Sequence, residues 1–270
     1  MPSALINIMT AAAEKASKGL LRDFGEVGNL QIAKKGAADF VTESDKRAEH
    51  TLMRELSKAR PNYGFLNEES GETPGKKQEY RWIINPLDGT HNFIHAIPYF
   101  CISIALEKTF HDGHTEIVAA CIYDPLHNEM FTAEKGEGAF LNGNRKLNVS
   151  NRSRFEEAMM VIAAPHPNPD GTTPHHPLLN LASNTHASLR NMGAWALDLA
   201  HLAAGRLDAV CLVGQQPWDA AAAWLLIAEA GGTVTELSGN PFRLESANLL
   251  ATNGPFYDPL LKLLAQNTGS

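Results

Sequence analysis

The chain has 270 residues, of which 44% are hydrophobic and 20% charged, a composition typical of a globular protein that forms one large domain or two closely joined ones. Its formal net charge of −7 argues against a general nucleic-acid binder, because phosphate backbones require clustered lysine and arginine. No apolar run approaches the roughly 20 residues that span a bilayer, and the N-terminus lacks a signal-peptide pattern, so we expect a cytoplasmic protein with no membrane partner.

The chain begins with helical patterns. Apolar residues at mostly helical spacing predict an amphipathic helix over 3–24. We predict a short strand over 38–42, followed by a polar-faced helix that starts at Ser44 and ends near Leu56. After a turn, Phe65-Leu66 predicts a brief strand, and the polar segment 71–78 predicts an exposed loop.

Strand signals dominate the next part of the chain. Short β-branched or aromatic runs separated by turn residues predict strands over 81–84, 99–108, 116–123 and 129–134. Three cysteines lie far apart, each within an apolar run, and we expect them to be buried and reduced: Cys101, Cys121 and Cys211.

The pattern changes near residue 150. A strand is predicted over 159–163 and a loop over 165–177, after which helices at 196–204 and 218–230 alternate with strands at 209–213 and 233–236. We therefore place a subdomain boundary there, between an N-terminal α+β part (1–150) and a C-terminal α/β part (151–270).

Acidic residues occur where predicted strands end or helices begin. Each has a structural alternative: Asp219 equally fits a helix cap, and adjacent glutamates such as Glu68 and Glu69 are usually solvated charge. Hard divalent cations need carboxylate oxygens from separated segments. Four segments could supply them, namely Asp39/Glu43/Asp45, Glu68/Glu69, Asp88 and Asp219.

The stretch 82–93 is the most informative, because an apolar strand stops abruptly at Asp88-Gly89-Thr90. Gly89 permits close backbone approach, so the Gly89 and Thr90 N–H groups could bind an anion, and the Thr90 hydroxyl could contact a metal-bound water. This layout favours a metal ion and a phosphate side by side. Asn85, three residues earlier, is an amide where a carboxylate would suit a cation better.

Four motifs together resemble the inositol monophosphatase family, and most closely its bacterial extragenic-suppressor branch. They are Asp39-Phe40-Val41-Thr42-x-x-Asp45, Asn67-Glu68-Glu69-Ser70, Asn85-Pro86-Leu87-Asp88-Gly89-Thr90-x-Asn92-Phe93 and Trp218-Asp219-x-Ala221-Ala222…Glu229-Ala230-Gly231-Gly232. The resemblance covers nearly the whole chain. It implies a layered αβαβα sandwich of the type shared with fructose bisphosphatase, a homodimer, and lithium-sensitive, Mg²⁺-dependent hydrolysis of small phosphate monoesters.

The resemblance also implies metal ligands. Glu68 and the Leu87 carbonyl would bind the first magnesium, and Asp88 and Asp219 the second. Asn85 stands where the family has an aspartate that bridges two metals. The missing charge would weaken metal binding, most of all at the shared site.

Catalytic and substrate contacts follow from the same resemblance. Thr90 and Glu68 would orient the attacking water, and Asp45 would support the metal cluster. The Gly89 and Thr90 N–H groups would bind phosphate, with Asp88 and Asp219 also contacting substrate. The sugar-side pocket would lie in 151–270, where Trp195 and Leu212 depart from the family pattern.

Three functions remain open. The leading one is a Mg²⁺-dependent phosphatase for inositol 1-phosphate or a similar sugar or polyol phosphate. Asn85, Trp195 and Leu212 motivate a second, a weakly active or inactive relative that binds a protein partner in the transcription or RNA machinery. A third is a phosphatase for histidinol phosphate, fructose bisphosphate or adenosine bisphosphate.

Overall fold

The computed structural model describes residues 2–32, 37–163 and 186–267. Two long helices open the chain, α1 (Ala4–Ile32) and α2 (Ala37–Ala59). The first confirms the predicted opening helix and extends it. The second contradicts the strand predicted over 38–42. Residues buried along α2 recur at helical spacing (Val41, Asp45, Ala48, Leu52 and Leu56), so the apolar run belongs to a helix face.

The first sheet has eight strands within the described residues, in the order β2-β1-β3-β4-β5-β6-β7-β8. The pairing of β1 with β3 is parallel and the other pairings are antiparallel. The strands are β1 (Gly64–Asn67), β2 (Gly71–Thr73), β3 (Tyr80–Asp88), β4 (Cys101–Thr109), β5 (Thr115–Asp124), β6 (Glu129–Glu134), β7 (Gly138–Leu141) and β8 (Arg145–Lys146). A short helix, α3 (Thr90–Ile94), connects β3 to β4.

The predicted loop over 71–78 is wrong in its first three residues, which form the edge strand β2. This strand pairs with β1 through its backbone and buries no side chain. It therefore carries no hydrophobic alternation that would reveal it in the sequence.

The second sheet has five strands in the described part of the chain, in the order β10-β9-β11-β13-β12. They are β9 (Met159–Ala163), β10 (Ser188–Arg190), β11 (Ala209–Val213), β12 (Thr233–Thr235) and β13 (Asn248–Thr252). A 3₁₀ turn at Phe155–Glu157 precedes them, and three helices alternate with them: α4 (Trp195–Ala203), α5 (Pro217–Glu229) and α6 (Tyr257–Asn267). The loop predicted over 165–177 lies outside the described residues.

Five layers result from the way the apolar faces pair. Helices α1 and α2 cover one face of the first sheet, where Leu52 and Leu56 pack with Trp82 and Ile84. Helices α4 and α5 lie between the two sheets in one apolar core, and α6 covers the outer face of the second sheet. The arrangement confirms the αβαβα sandwich.

The two sheets lie on either side of residue 150, while α4 and α5 pack against both of them. The subdomain boundary at that residue stays a prediction. All three cysteines are free and buried, as predicted. Over the described ranges, no helix is both long and apolar enough to cross a membrane.

Candidate active site

The end of β3 carries a β-bulge that shapes the site. Asn85 pairs with Ser103 and Asp88 with Cys101, so Pro86 and Leu87 together face a single residue of β4. In an unbroken strand, side chains three residues apart point to opposite faces. The bulge re-aims them, and both Asn85 and Asp88 interact with Asp219.

The turn after β3 requires glycine. Gly89 has a φ of 97°, in the left-handed region that side chains disfavour. A Cβ there would lie 2.9 Å from the Tyr99 carbonyl oxygen and 3.1 Å from the Ala194 Cβ. Thr90 then begins α3, and its hydroxyl donates to the Leu87 carbonyl at 3.1 Å. The turn thus brings two predicted phosphate-binding residues and a predicted ligand carbonyl together.

Asn85 is buried, and both the nitrogen and the oxygen of its side-chain amide form hydrogen bonds. Its Nδ2 donates to Asp219 Oδ1 at 3.1 Å, and its Oδ1 accepts from the Leu87 N–H at 3.1 Å. The carboxylate can only accept and the backbone N–H can only donate, so these two partners fix the orientation of the amide. Asn85 therefore lies beside Asp219, in a hydrogen-bonded pair with that acid.

Asp219 lies at the third position of α5, so the predicted location near the helix start is correct. Its Oδ2 accepts from the Gln216 N–H at 2.8 Å and completes a capping box. Burial raises the pKa of Asp219, while the hydrogen bonds from Gln216 and Asn85 oppose that rise. The carboxylate thus both caps the helix and faces the site.

Asp88, the last residue of β3, lies against the N-terminal end of α4. Its Oδ2 accepts from the Ala196 N–H at 2.7 Å, and the Cys101 thiol lies 3.6 Å from the same oxygen. Burial and the neighbouring Asp219 raise its pKa, against the lowering effect of amides at the helix N-terminus. Asp88 therefore connects the first sheet to a helix of the central layer.

A second acidic group lies between α2 and the end of β1. Burial, followed by repulsion from Asp219 and Asp88, raises the pKa of Glu68 to about 8. Burial, followed by repulsion from Glu68, raises the pKa of Asp45 to about 9. Glu68 Oε2 and Asp45 Oδ1 are buried without a hydrogen-bond partner among the described residues. Two uncompensated buried oxygens in an acidic cluster fit a cation.

Not every acidic residue named from the sequence joins this cluster. Glu43 is exposed and lies 3.8 Å from Lys46, and the Asp39 side chain lies outside the described part of the structure. Glu69 is exposed, but its N–H donates to Glu49 Oε2 at 3.0 Å. Sequence reasoning missed Glu49. It lies one helical turn after Asp45, inside the helix already predicted from Ser44 to Leu56, so the i,i+4 spacing of the two acids was the available signal.

The carboxylate and carbonyl oxygens of the site suit a hard divalent cation, but their side chains are not arranged as a preformed coordination shell. No three His, Cys, Asp or Glu side chains in the described ranges form a ready coordination shell. One position of the cluster is an amide, Asn85, and unscreened carboxylates repel one another. The uncompensated oxygens of Glu68 and Asp45 therefore support a cation that would draw the acids together.

The residues expected on the sugar side differ in exposure. Leu212 is 0% exposed and packs in the core between the sheets, so it lines no pocket. Trp195 begins α4 and packs only partly against that core. The α4 amides that contact Asp88 were also missed, because contacts across more than 100 residues leave no local sequence signal.

The raised carboxyl pKa values predict a pH-dependent stability. Asp45 keeps its proton up to a pKa of about 9 when folded but only to about 3.9 when unfolded. The folded state thus binds more protons between these values, and stability falls as pH rises. Asp45→Asn removes this effect. We compare the melting temperature of Asp45→Asn with that of wild type, both in chelator. The difference, variant minus wild type, should be about 3 °C or more larger at pH 8 than at pH 5.

Melting curves at the two pH values measure this difference. Asp258→Asn, which changes an exposed carboxyl of α6, is the matched control and should show no such increase. A difference for Asp45→Asn that is the same at both pH values would contradict the prediction.

Comparison with known proteins gives full-length relatives. The chain matches the inositol monophosphatase family over residues 1–268. It is 44% identical over 263 residues to the inositol-1-monophosphatase of Mesorhizobium japonicum, covering 96% of each chain. It is 38% identical over 249 residues to the Nus factor SuhB of Escherichia coli K12, covering 92% of this chain and 91% of that one.

Solved structures of proteins with these names have a similar fold. The extragenic suppressor protein SuhB from Bartonella henselae matches with a TM-score of 0.84 at 41% identity, covering 97% of this chain and 100% of that one. The inositol monophosphatase from Anabaena matches with a TM-score of 0.81 at 33% identity, covering 97% and 95%.

Proposed function

Because the chain belongs to the inositol monophosphatase family, we propose that it is a Mg²⁺-dependent phosphatase that hydrolyses inositol 1-phosphate or a similar sugar or polyol phosphate. One observation carries the proposal. Acids from three separated segments, Glu68, Asp88 and Asp219, repel one another electrostatically in one partly buried site. That site adjoins the Gly89-Thr90 turn at the start of α3.

The residues divide the work between metal and substrate. Glu68, Asp88, Asp219, the Leu87 carbonyl and Asn85 would hold Mg²⁺, which supplies Lewis-acid stabilisation of phosphoryl oxygens and acidifies a water. Asp45, buried and repelled by Glu68, would support this group with its unpartnered oxygen once a bound cation displaces the proton that its raised pKa otherwise retains.

Thr90 and Glu68 position the attacking water. The Thr90 hydroxyl donates its proton to the Leu87 carbonyl, which leaves its lone pairs to accept a hydrogen bond from water. Glu68 accepts the proton that the water releases. The N–H groups of Gly89 and Thr90 bind the phosphate, with Asp88 and Asp219 close to the substrate.

A direct assay tests this function. Phosphate release from inositol 1-phosphate and glycerol 2-phosphate should rise with Mg²⁺ and fall when Li⁺ is added. Histidinol phosphate, fructose bisphosphate and adenosine bisphosphate, assayed in parallel, distinguish the related phosphatases. Failure to release phosphate from any of these substrates at saturating Mg²⁺ would overturn the proposal.

A second function is supported by the relatives called Nus factor SuhB, at 38% identity, and by Asn85 in place of an acid. In this function the protein binds a partner in the transcription machinery of the cytoplasm. Tagged wild type and Asp88→Ala should recover the same transcription proteins from host cells, although only wild type hydrolyses phosphate esters. Recovery no greater than from an untagged strain would exclude it.

We also propose that the protein is a homodimer, as the family resemblance implies. Sedimentation at micromolar concentration should give about twice the chain mass of 29.4 kDa. A single species at the chain mass would contradict this.

A further inference from the structure

The two halves of the acidic site differ in how the protein satisfies their oxygens. In one half, Glu68 Oε2 and Asp45 Oδ1 are buried without a hydrogen-bond partner among the described residues, and Asp45 as a whole is only 2% exposed. In the other half, both oxygens of Asp219 accept hydrogen bonds from the protein, one from Asn85 and one from Gln216. Only the first half therefore lacks a partner that a cation would supply.

The Asn85 amide obstructs a cation at Asp219. Its Nδ2 lies 3.1 Å from Asp219 Oδ1 and directs a hydrogen toward the lone pair that a metal would use. Rotating the amide by half a turn would offer its oxygen to the metal. The same rotation would place the amide N–H against the Leu87 N–H, which now donates to Asn85 Oδ1. Two donors would then face each other in a buried site, which is unfavourable.

We infer that this chain holds a single firmly bound divalent cation on the Glu68 side, and that the Asn85–Asp219 hydrogen bond takes the place of a second ion. The inference rests on the metal dependence proposed above and narrows the ligand set given there. Neutral hydrogen bonds from Asn85 and Gln216 partly compensate the buried Asp219 within the folded chain, and they leave neither of its oxygens without a partner.

An aspartate at position 85 would reverse this arrangement. One carboxylate oxygen would keep the hydrogen bond from the Leu87 N–H, since that contact needs only an acceptor. The other oxygen would replace Nδ2, now 3.1 Å from Asp219 Oδ1. Two carboxylates at that distance cannot both stay ionised without a cation between them. Asn85→Asp should therefore create a second site.

Binding of Mn²⁺, measured from the electron paramagnetic resonance signal of the free ion, tests the inference without any turnover. Wild type should bind one Mn²⁺ per chain, with and without inorganic phosphate, and Asn85→Asp should bind two. The pair in the variant should show the exchange-coupled spectrum of neighbouring ions. Asn62→Asp adds the same charge at an exposed turn and should bind one.

A second variant covers the case in which Asn85→Asp does not fold. Asp219→Asn removes the charge and keeps one oxygen, which can accept from the Gln216 N–H but not also from Asn85 Nδ2. Because Asp219 is not a ligand of the bound ion in wild type, this variant should still bind one Mn²⁺. Its affinity should fall by about tenfold at most, since Asp219 acts on that site only through its nearby charge. Loss of Mn²⁺ binding in Asp219→Asn would overturn the inference.

The remaining outcomes separate the inference from the proposed function. Two ions in wild type, or one ion in folded Asn85→Asp, would overturn the inference whatever the phosphatase assay shows. No bound Mn²⁺ in wild type would overturn the inference, and the phosphate-release assay alone would then decide the proposed function. One bound Mn²⁺ without phosphate release would support the inference and contradict only the phosphatase function.

Discussion

Replacing Asp88 by asparagine should lower kcat/KM for phosphate esters about a thousandfold. The charge of Asp88 acts on Glu68 and would help to hold the single cation there, which contributes several kcal/mol of transition-state stabilisation. The fold should survive. The asparagine oxygen can still accept from the Ala196 N–H, which now lies 2.7 Å from Asp88 Oδ2. Removing a buried charge whose pKa is raised should also leave the protein in chelator at least as stable as wild type.

Steady-state kinetics over a Mg²⁺ series, together with melting curves, measure both effects. Asp124→Asn is the matched control, since Asp124 is a buried aspartate at a turn where its Oδ1 accepts from Leu126 and His127. An asparagine there keeps the acceptor, and activity should stay within about twofold of wild type. Equal losses in both variants would show that Asp88 acts through stability and has no special part in the reaction.

Asn85→Asp should destabilise the fold in the absence of magnesium but not in its presence. In chelator the variant replaces an N–H···O bond to Asp219 by two facing carboxylates. This should destabilise the fold by about 3 kcal/mol and lower the melting temperature by roughly 5–10 °C. In saturating Mg²⁺ the loss should disappear, because a cation between the acids offsets their repulsion. The Mg²⁺ needed for half-maximal activity should fall by about ten- to a hundredfold.

Melting curves in chelator and in Mg²⁺ test the change in stability, and activity measured over the same Mg²⁺ series tests the change in the Mg²⁺ requirement. Asn62→Asp should change neither quantity, because it adds charge at an exposed turn. A melting temperature that falls equally in chelator and in magnesium would show that position 85 does not face a cation. An unchanged magnesium requirement would show the same.

Local patterns predicted most of the fold. Strand β11, predicted over 209–213, has those bounds in the structure, and helices α4 and α5 each start one residue earlier than predicted. These elements are long or strongly apolar, so burial and propensity agree. The failure at 38–42 arose because five residues cannot distinguish a buried strand from one face of a helix.

The candidate site was only partly predictable. Asp88, Gly89 and Thr90 are neighbours in sequence, and their turn followed from the glycine and the abrupt end of an apolar strand. The hydrogen bond from Asn85 to Asp219 joins residues 134 apart, and no local pattern encodes it. The same limit applies to Leu212, whose complete burial between the sheets follows from packing across the central layer.

The acidic residues of the site also stabilise the fold. Asp88 accepts from an amide at the start of α4, Asp219 completes the capping box of α5, and Glu49 accepts from the Glu69 N–H. Selection for folding alone would therefore preserve a hydrogen-bond acceptor at these positions in a descendant that had given up catalysis, whether or not the acceptor carried a charge. At position 85, an amide serves the fold better than an acid once the cation is gone. We therefore expect position 85 to be the first of these positions to lose its acid when a relative loses catalysis.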